Sequence, residues 1–173
     1  MEIQDAIDLI RFPVNKGVQT WADLGCGSGL FTKALAELLP QGSTIHAVDV
    51  DTKALQKIPE EYKGVRIRKS VMNFSTGAFP FHRMDGILMA NSLHYVKDKE
   101  SFLKRVMEAL NDDGHFLLVD YDINKANRWV PYPLPIAAAE ELFLKCKARS
   151  FQLLNKRKSV FGDRMMYGTL IRK

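Results

Sequence analysis

A cluster of alternating glycines, Gly25-Cys26-Gly27-Ser28-Gly29, constrains this chain more than any other segment. The apolar residues 18–24 before it predict a buried strand, and residues 30–39 after it predict a helix. Glycine has no Cβ, so the chain can turn tightly there and a ligand can touch the backbone. The sequence therefore predicts a ligand-binding turn between the first strand and the first long helix.

A carboxylate follows at the end of the next predicted strand. Residues 44–50 (TIHAVDV) are mainly apolar, and Asp49 lies twenty residues after Gly29. A carboxylate at this place can accept hydrogen bonds from both hydroxyls of a ribose. The nicotinamide-binding pattern G-x-G-x-x-G fails, because Leu30 stands at its third glycine position when counted from Gly25. The pair of features favours a nucleoside-containing cofactor other than NAD.

The glycines, prolines and other turn residues in the rest of the sequence separate predicted strands that alternate with predicted helices. The predicted helices cover residues 2–11, 51–59, 99–110 and 137–147, and the predicted strands cover 65–68, 86–90, 115–121 and a closing hairpin of 151–160 and 164–172. Residues 111–114 are expected to form a turn, and residues 122–135 a loop with several prolines. Such alternation predicts an α/β fold with a largely parallel sheet, which binds ligands at the carboxyl ends of its strands.

The acid followed by G-x-G-x-G, with a second acid ending strand two, resembles the class I S-adenosylmethionine-dependent methyltransferases. Residues 84–96 (MDGILMANSLHYV) and 110–120 (LNDDGHFLLVD) resemble the fourth- and fifth-strand segments of that family. The resemblance implies a Rossmann-like seven-stranded sheet of order 3-2-1-4-5-7-6, with strand 7 antiparallel and helices on both faces. It also implies that residues 1–173 form a single methyltransferase domain.

The same resemblance implies a set of residues that bind S-adenosyl-L-methionine, which leaves as S-adenosyl-L-homocysteine. The loop of Gly25, Cys26, Gly27 and Gly29 is expected against the methionine part, with Asp23 holding the ammonium group. Asp49 is expected on the ribose, Val50 beside the adenine, Asn73 and Phe74 near the adenine amino group, and Asn91 beneath the sulfonium. Asn73 read from the residues alone is equally well a turn residue.

His94 is the candidate general base, and the alternative is that it packs or caps a short helix. Residues 1–12 and the loop 121–135, with Trp129 and Tyr132, are expected to form the substrate wall. The alternative for this loop is packing over the neighbouring helix. The histidines form no metal-ligand pattern with carboxylates, so no metal is expected.

The net charge of +5 is concentrated near the end of the 173-residue chain. Residues 145–173 carry nine Lys or Arg and one acid, whereas residues 1–144 carry a net charge of −3. We expect these charges on the last helix and hairpin, away from the mouth of the site. The leading hypothesis is a methyltransferase that acts on a small molecule. The alternatives are an RNA methyltransferase that uses the basic segment and a cofactor-binding module without activity.

The sequence also predicts the cellular compartment of the protein, but it does not indicate the oligomeric state. The acidic start MEIQD does not resemble a signal peptide, and no long apolar run predicts a transmembrane helix. Cys26 and Cys146 form neither a disulfide framework nor a metal-ligand pattern. The chain is therefore expected to be cytoplasmic and away from membranes.

Overall fold

The computed structural model describes residues 1–76, 80–159 and 164–173. Residues 160–163, which contain the expected hairpin turn, lie outside the described residues. The helices and strands are α1 (Ile3–Ile10), β1 (Thr20–Leu24), α2 (Leu30–Leu38), β2 (Thr44–Asp49), α3 (Thr52–Gln56), β3 (Glu61–Tyr62), β4 (Val65–Val71), β5 (Met84–Ala90), a 3₁₀ helix (Leu93–Tyr95), α4 (Lys99–Ala109), β6 (Leu110–Tyr121), α5 (Ile136–Lys145), β7 (Ser150–Lys158) and β8 (Met165–Arg172).

The described strands form one eight-stranded sheet in the order β3-β4-β2-β1-β5-β6-β8-β7. The expected count of seven strands is wrong, because β3 pairs antiparallel with β4 at the edge of the sheet. A strand of two residues carries no periodic signal in a sequence. The seven-strand order is thus replaced by the eight-strand order, in which β8 is antiparallel to β6 as expected for the last strand.

Two other segments differ from the expectation. Residues 111–114, expected as a turn, lie within β6, whose pairing with β5 jumps from Met84–Leu110 to Gly86–His115. An irregularity of this kind absorbs extra residues in one strand without ending it. The third predicted strand also continues to Val71, because its second half pairs with β2 although its residues are polar.

The central strands are buried on both faces, as continuous apolar runs predict for a covered parallel sheet. On one face, α4 and α5 contribute Leu103 and Phe143 to a core that includes Phe116 of β6. On the other face, α1 and α2 contribute Leu9 and Leu35 to a second core. The parallel strands all end at the same edge, where the chain leaves β1 and β5 toward opposite sides. This is the crevice in which open α/β sheets bind ligands.

Gly168 of β8 lies against the backbone of Leu9 in α1, and a Cβ at this position would meet the Leu9 carbonyl oxygen. We expect Gly168→Ala to lower the free energy of unfolding by about 3 kcal/mol, because a backbone atom cannot move aside cheaply. Urea denaturation measures this loss. Gly17→Ala is the matched control, since nothing lies within 4 Å of that position. Equal stability of the two variants would contradict this packing of α1.

Candidate functional site

The glycine loop at the end of β1 has one open position. Gly25, Gly27 and Gly29 all have positive φ angles of 80°, 52° and 84°. A Cβ on Gly25 would lie 2.5 Å from Ser92 Cβ, and one on Gly29 would lie 2.7 Å from Ile58 Cγ1. A Cβ on Gly27 would have nothing within 4 Å. Gly25 and Gly29 therefore serve close packing, and the open space for a ligand lies at Gly27.

Asp49 fastens this loop to the end of β2. The Gly27 N–H donates to Asp49 Oδ2 at 2.8 Å, and the Asp51 N–H donates to Oδ1 at 2.9 Å. A carboxylate has about four acceptor positions, so each oxygen can accept a further hydrogen bond. The neighbouring Val50 side chain is 61% exposed and offers an apolar surface beside this carboxylate.

Asp23 lies beneath the loop and is completely buried. The Thr32 hydroxyl donates to Asp23 Oδ2 at 2.6 Å, whereas Oδ1 has no hydrogen-bond partner among the described residues. Burial raises the pKa of Asp23 from its ordinary value to about 7, and the nearby Asp49 adds to the increase. A buried carboxylate oxygen without a partner is costly, so it favours binding of a cation or a donor at this point.

Asn91 directly follows β5 and has a strained backbone conformation. Its φ angle is 55°, and its side-chain Oδ1 is buried without a hydrogen-bond partner among the described residues. Strain of this kind is concentrated at functional sites. The next residue, Ser92, is structural, since its hydroxyl donates to the Leu24 carbonyl oxygen at 2.6 Å and ties β5 to β1.

His94 forms a buried pair with Asp120 at the end of β6. His94 Nδ1 lies 2.7 Å from Asp120 Oδ1, and the two side chains are 2% and 0% exposed. The same oxygen accepts from the Tyr121 N–H at 2.8 Å, while Asp120 Oδ2 has no partner among the described residues. His94 also lines the cavity described in the next paragraph, so its ring borders that space although the side chain is almost wholly buried.

A cavity of about 390 Å³ lies next to this pair. Its lining is mainly aromatic and apolar, with one cation: Asn91, His94, Tyr95, Tyr121, Trp129, Val130 and Arg164. The volume lies within the range of roughly 300–1,000 Å³ typical of small-molecule pockets. The candidate cofactor residues and this cavity share the carboxyl edge of the sheet.

Some of the expected residues lie elsewhere or have other partners. Asn73 Oδ1 accepts from the backbone N–H and the hydroxyl of Ser75, which makes it a turn residue in this structure. The Phe74 ring packs 6.0 Å from Phe102, measured between centroids, but it also borders the glycine loop, since a Cβ on Gly25 would lie 3.1 Å from Phe74 Cε1. Tyr132 does not line the cavity; its ring lies 5.5 Å below Lys99 Nζ. No residue of the segment 1–12 lines the cavity either, whereas Trp129 of the expected loop does.

Cys26 contributes packing rather than a reactive thiol. It is buried, and burial raises the pKa of its thiol far above the ordinary range. In the part of the chain that the structure describes, no cluster of metal-ligating side chains occurs. None of the described helices has the length and apolar character needed to cross a bilayer.

The basic C-terminal segment is divided between the two edges of the sheet. Arg172 of β8 lies opposite His115 of β6 in the strand register, at the end of the sheet that faces away from the site. Lys156 and Arg157 lie toward the site edge, where they form ion pairs with Asp122 and Asp5. The expectation that all these charges stay away from the site mouth is therefore wrong for Arg164, which lines the cavity.

Asp120, Thr32 and Arg164 were not identified from the sequence. Asp120 ends an apolar strand just as Asp49 does, and that parallel was the available signal. Arg164 follows from the antiparallel direction of β8, which must begin at the site edge. Thr32 carries no signal, because its contact with Asp23 depends on how α2 packs.

Sequence comparison finds methyltransferases. A family model described as a methyltransferase domain matches residues 22–116. An uncharacterized methyltransferase of Mycobacterium tuberculosis is 27% identical over 113 residues, which are 65% of this chain and 56% of that protein. Ribosomal RNA small subunit methyltransferase C of Acinetobacter baylyi is 28% identical over 139 residues, covering 76% of this chain and 38% of that protein. The chain thus spans little more than half the length of the first relative.

Solved structures share the fold. A S-adenosylmethionine-dependent methyltransferase of Methanosarcina mazei has a TM-score of 0.70 at 17% identity, over 95% of this chain and 99% of that chain. Phospholethanolamine N-methyltransferase 2 of Haemonchus contortus, solved with phosphomonomethylethanolamine and S-adenosylhomocysteine, has a TM-score of 0.74 at 16% identity, over 98% of this chain and 52% of that chain. These likenesses confirm the Rossmann-like fold.

Proposed function

Because the chain belongs to the methyltransferase-domain family, we propose that it transfers the methyl group of S-adenosylmethionine to a small-molecule acceptor. The observation that carries the proposal is the unpartnered Asp23 Oδ1, which is buried near the carboxyl end of β1, just before the glycine loop. A cationic ligand there would supply the missing partner of a buried carboxylate. S-adenosylmethionine has an ammonium group at its amino-acid end.

The residues present fit this cofactor in three places. Asp23 Oδ1 can accept from the ammonium, directly or through water. Asp49 keeps acceptor positions for two ribose hydroxyls while it holds the Gly27 N–H. The exposed Val50 side chain offers contact to the adenine. Asn73 offers less, because its amide oxygen is already occupied by Ser75.

For methyl transfer the protein mainly has to position the cofactor and the acceptor and to exclude water from the site. When bound, the cofactor supplies a methyl group on sulfur that is already activated for displacement. The chain's part is to hold the acceptor in line with that methyl group, at the cavity beside Asn91. The loop residue Trp129 forms part of the cavity wall and is proposed as a substrate contact. Residues 1–173 are proposed to act as one domain.

The size of the cavity favours a small molecule over RNA. About 390 Å³ accommodates a drug-sized molecule, and four of its seven lining residues, namely Tyr95, Tyr121, Trp129 and Val130, have mainly apolar or aromatic side chains. A polynucleotide site would need a row of free cations to neutralise phosphates. The basic segment instead divides between two edges, and ion pairs occupy Lys156 and Arg157. A cofactor-binding module without activity remains the second candidate, supported by the same Asp23 and Asp49 geometry.

A labelled-methyl assay tests the proposal. The protein is incubated with S-adenosylmethionine carrying a tritiated methyl group and with either the small-molecule fraction or the total RNA of a bacterial lysate. We expect label in the small-molecule fraction. If label instead appears in RNA and declines steeply with added salt, the acceptor is RNA and not a small molecule. Cofactor binding without label in either pool would favour the binding module.

A further inference from the structure

The cavity combines a buried histidine–carboxylate pair, aromatic walls and a cation. We propose that its acceptor is a hydroxylated aromatic anion, which Arg164 holds by the anionic group and His94 deprotonates at the hydroxyl group. This inference rests on the proposed function, because the hydroxyl oxygen would receive the methyl group. It adds to that function the chemical class of the acceptor and a role for the pair His94–Asp120.

Arg164 supplies the charge selection. It lines the cavity, and its guanidinium has no recorded ion pair or hydrogen bond with the described residues. The neighbouring cations of the same hairpin, Lys156 and Arg157, are occupied by Asp122 and Asp5 at 3.4 Å and 2.6 Å. Guanidinium groups bind carboxylate or phosphate oxygens in pairs. Among the described residues that line the cavity, Arg164 is therefore the cation available to an anionic group of the acceptor.

The walls select a flat apolar body. Tyr95 and Trp129 are 54% and 67% exposed, and both line the cavity together with Tyr121. Large aromatic side chains left in contact with water in a concave site mark a binding surface. Aromatic rings pack against one another with offset or edge geometry. The body of the acceptor is therefore assigned as an aromatic ring.

His94 has the protonation geometry of a general base. Asp120 accepts the hydrogen bond from His94 Nδ1–H, which leaves the lone pair on Nε2 as the available acceptor. Asp120 Oδ2 has no hydrogen-bond partner among the described residues, so His94 is the side chain that hydrogen-bonds to this carboxylate. His94 would be a catalytic residue, and Asp120 a positioning residue that fixes the tautomer.

The transfer step balances with these groups alone. The acceptor hydroxyl gives its proton to His94 Nε2, and its oxygen forms a bond to the methyl carbon. The carbon–sulfur bond breaks, and its electron pair stays on the sulfur, which becomes a neutral thioether. The positive charge that leaves the sulfonium now resides on the imidazolium of His94, where Asp120 stabilises it.

Several ionisable groups face this pair and belong to its pH response. Tyr95 lies on the same 3₁₀ helix with its ring 4.4 Å from the His94 ring, and Tyr121 follows Asp120 on β6. Lys99 of α4 and Tyr167 of β8 both interact electrostatically with Asp120. Arg164 faces the cavity from the start of β8. None of these described groups is a second carboxylate, so among the described residues Asp120 is the anion that supports a protonated His94.

A chromogenic pair of probes tests the charge and the proton transfer together. The compounds 5-hydroxy-2-nitrobenzoate and 4-nitrophenol differ by one carboxylate, and the phenolate of each absorbs visible light. Each is titrated into the protein saturated with S-adenosylhomocysteine. We expect the carboxylate probe to bind about tenfold tighter, the size of one charge-assisted hydrogen bond in a partly exposed site. We also expect its bound form to show phenolate absorbance below the pH at which the free probe ionises.

Matched variants separate the two parts of the proposal. Arg164→Gln should bring the two probes to equal affinity, whereas Arg128→Gln should not, because Arg128 stacks on Trp129 outside the cavity lining. His94→Gln and Asp120→Asn should both abolish the phenolate absorbance of the bound probe and leave the carboxylate preference intact. A purely structural pair would instead leave the absorbance shift unchanged in any variant that still binds the probe.

The outcomes also separate this inference from the proposed function. Equal affinity of the two probes in the unaltered protein, or bound probe that stays protonated, overturns the acceptor class while cofactor binding stands. Failure of S-adenosylhomocysteine to bind, measured first by calorimetry, overturns the proposed function instead.

Discussion

Asp23→Asn is expected to weaken S-adenosylhomocysteine binding by about a hundredfold, because the variant removes the charge that faces the ligand's ammonium. A hydrogen bond between charged groups contributes roughly 1.5–3 kcal/mol, which corresponds to about ten- to a hundredfold in affinity. The upper end applies here, because Asp23 is completely buried and Oδ1 has no other partner among the described residues. Calorimetric titration at pH 8 measures the loss.

The same carboxyl group makes binding depend on pH. Its pKa, raised by burial to about 7, means that the unliganded protein keeps Asp23 largely protonated below neutrality. The ammonium of the ligand prefers the ionised form, so affinity should rise as pH increases through 7. Asp23→Asn should remove this rise. Thr32→Val is the matched control, because it keeps the carboxylate but removes the hydroxyl that donates to it, and the rise should move to higher pH.

Stability without ligand should change in the opposite direction. Between the ordinary pKa of 3.8 and the folded value of about 7, the folded state binds a proton that the unfolded state has released. The free energy of unfolding therefore falls as pH rises through this window, by a few kcal/mol at about 1.4 kcal/mol for each unit of pKa difference. Urea denaturation of the unaltered protein and Asp23→Asn measures the difference. Parallel pH profiles would contradict the buried, unpartnered state of Asp23.

Asp49→Ala is expected to weaken S-adenosylhomocysteine binding by about a hundredfold or more. The variant removes the acceptor proposed for two ribose hydroxyls and also releases the Gly27 N–H, which donates to Asp49 Oδ2 at 2.8 Å. Losing one charged hydrogen bond costs about 1.5–3 kcal/mol, and here two are lost with the loop's anchor. Calorimetric titration with S-adenosylhomocysteine measures the change in affinity.

Asp51→Ala is the control for Asp49→Ala, since it removes a carboxylate two residues away. Asp51 Oδ1 accepts from the backbone N–H groups of Lys53 and Ala54 and caps α3. Its loss should cost about 1 kcal/mol of stability and leave the ligand affinity nearly unchanged. Similar affinity losses in both variants would mean that general negative charge, rather than Asp49 itself, attracts the ligand.

Much of the fold was predictable because the long elements have strong periodicity. The strand, glycine loop and helix around Gly27 form as expected, and the antiparallel last strand was implied by the resemblance. The short β3 escaped because two residues carry no period. The turn chemistry of residues 111–114 was overridden by pairing with β5, which accommodates the extra residues as an irregularity in register.

The cofactor side of the candidate site was more predictable than the acceptor side. Asp23, Gly27 and Asp49 belong to one strand–loop–helix–strand unit. The two parallel strands of that unit are neighbours, so the sequence alone indicates that the three residues lie close together. Asp120 and Arg164 meet His94 only through the return of the chain along β6 and β8, and that proximity has no local signature. The N-terminal helix illustrates the converse, since its amphipathic pattern reflects burial against α2 rather than a substrate wall.

Calorimetric titration of the unaltered protein with S-adenosylhomocysteine, and separately with NAD, decides whether the glycine loop binds the methyl donor. We expect a single site for S-adenosylhomocysteine whose affinity rises with pH through 7, and no heat from NAD. Absence of S-adenosylhomocysteine binding at pH 8, or binding of NAD in its place, would contradict this expectation.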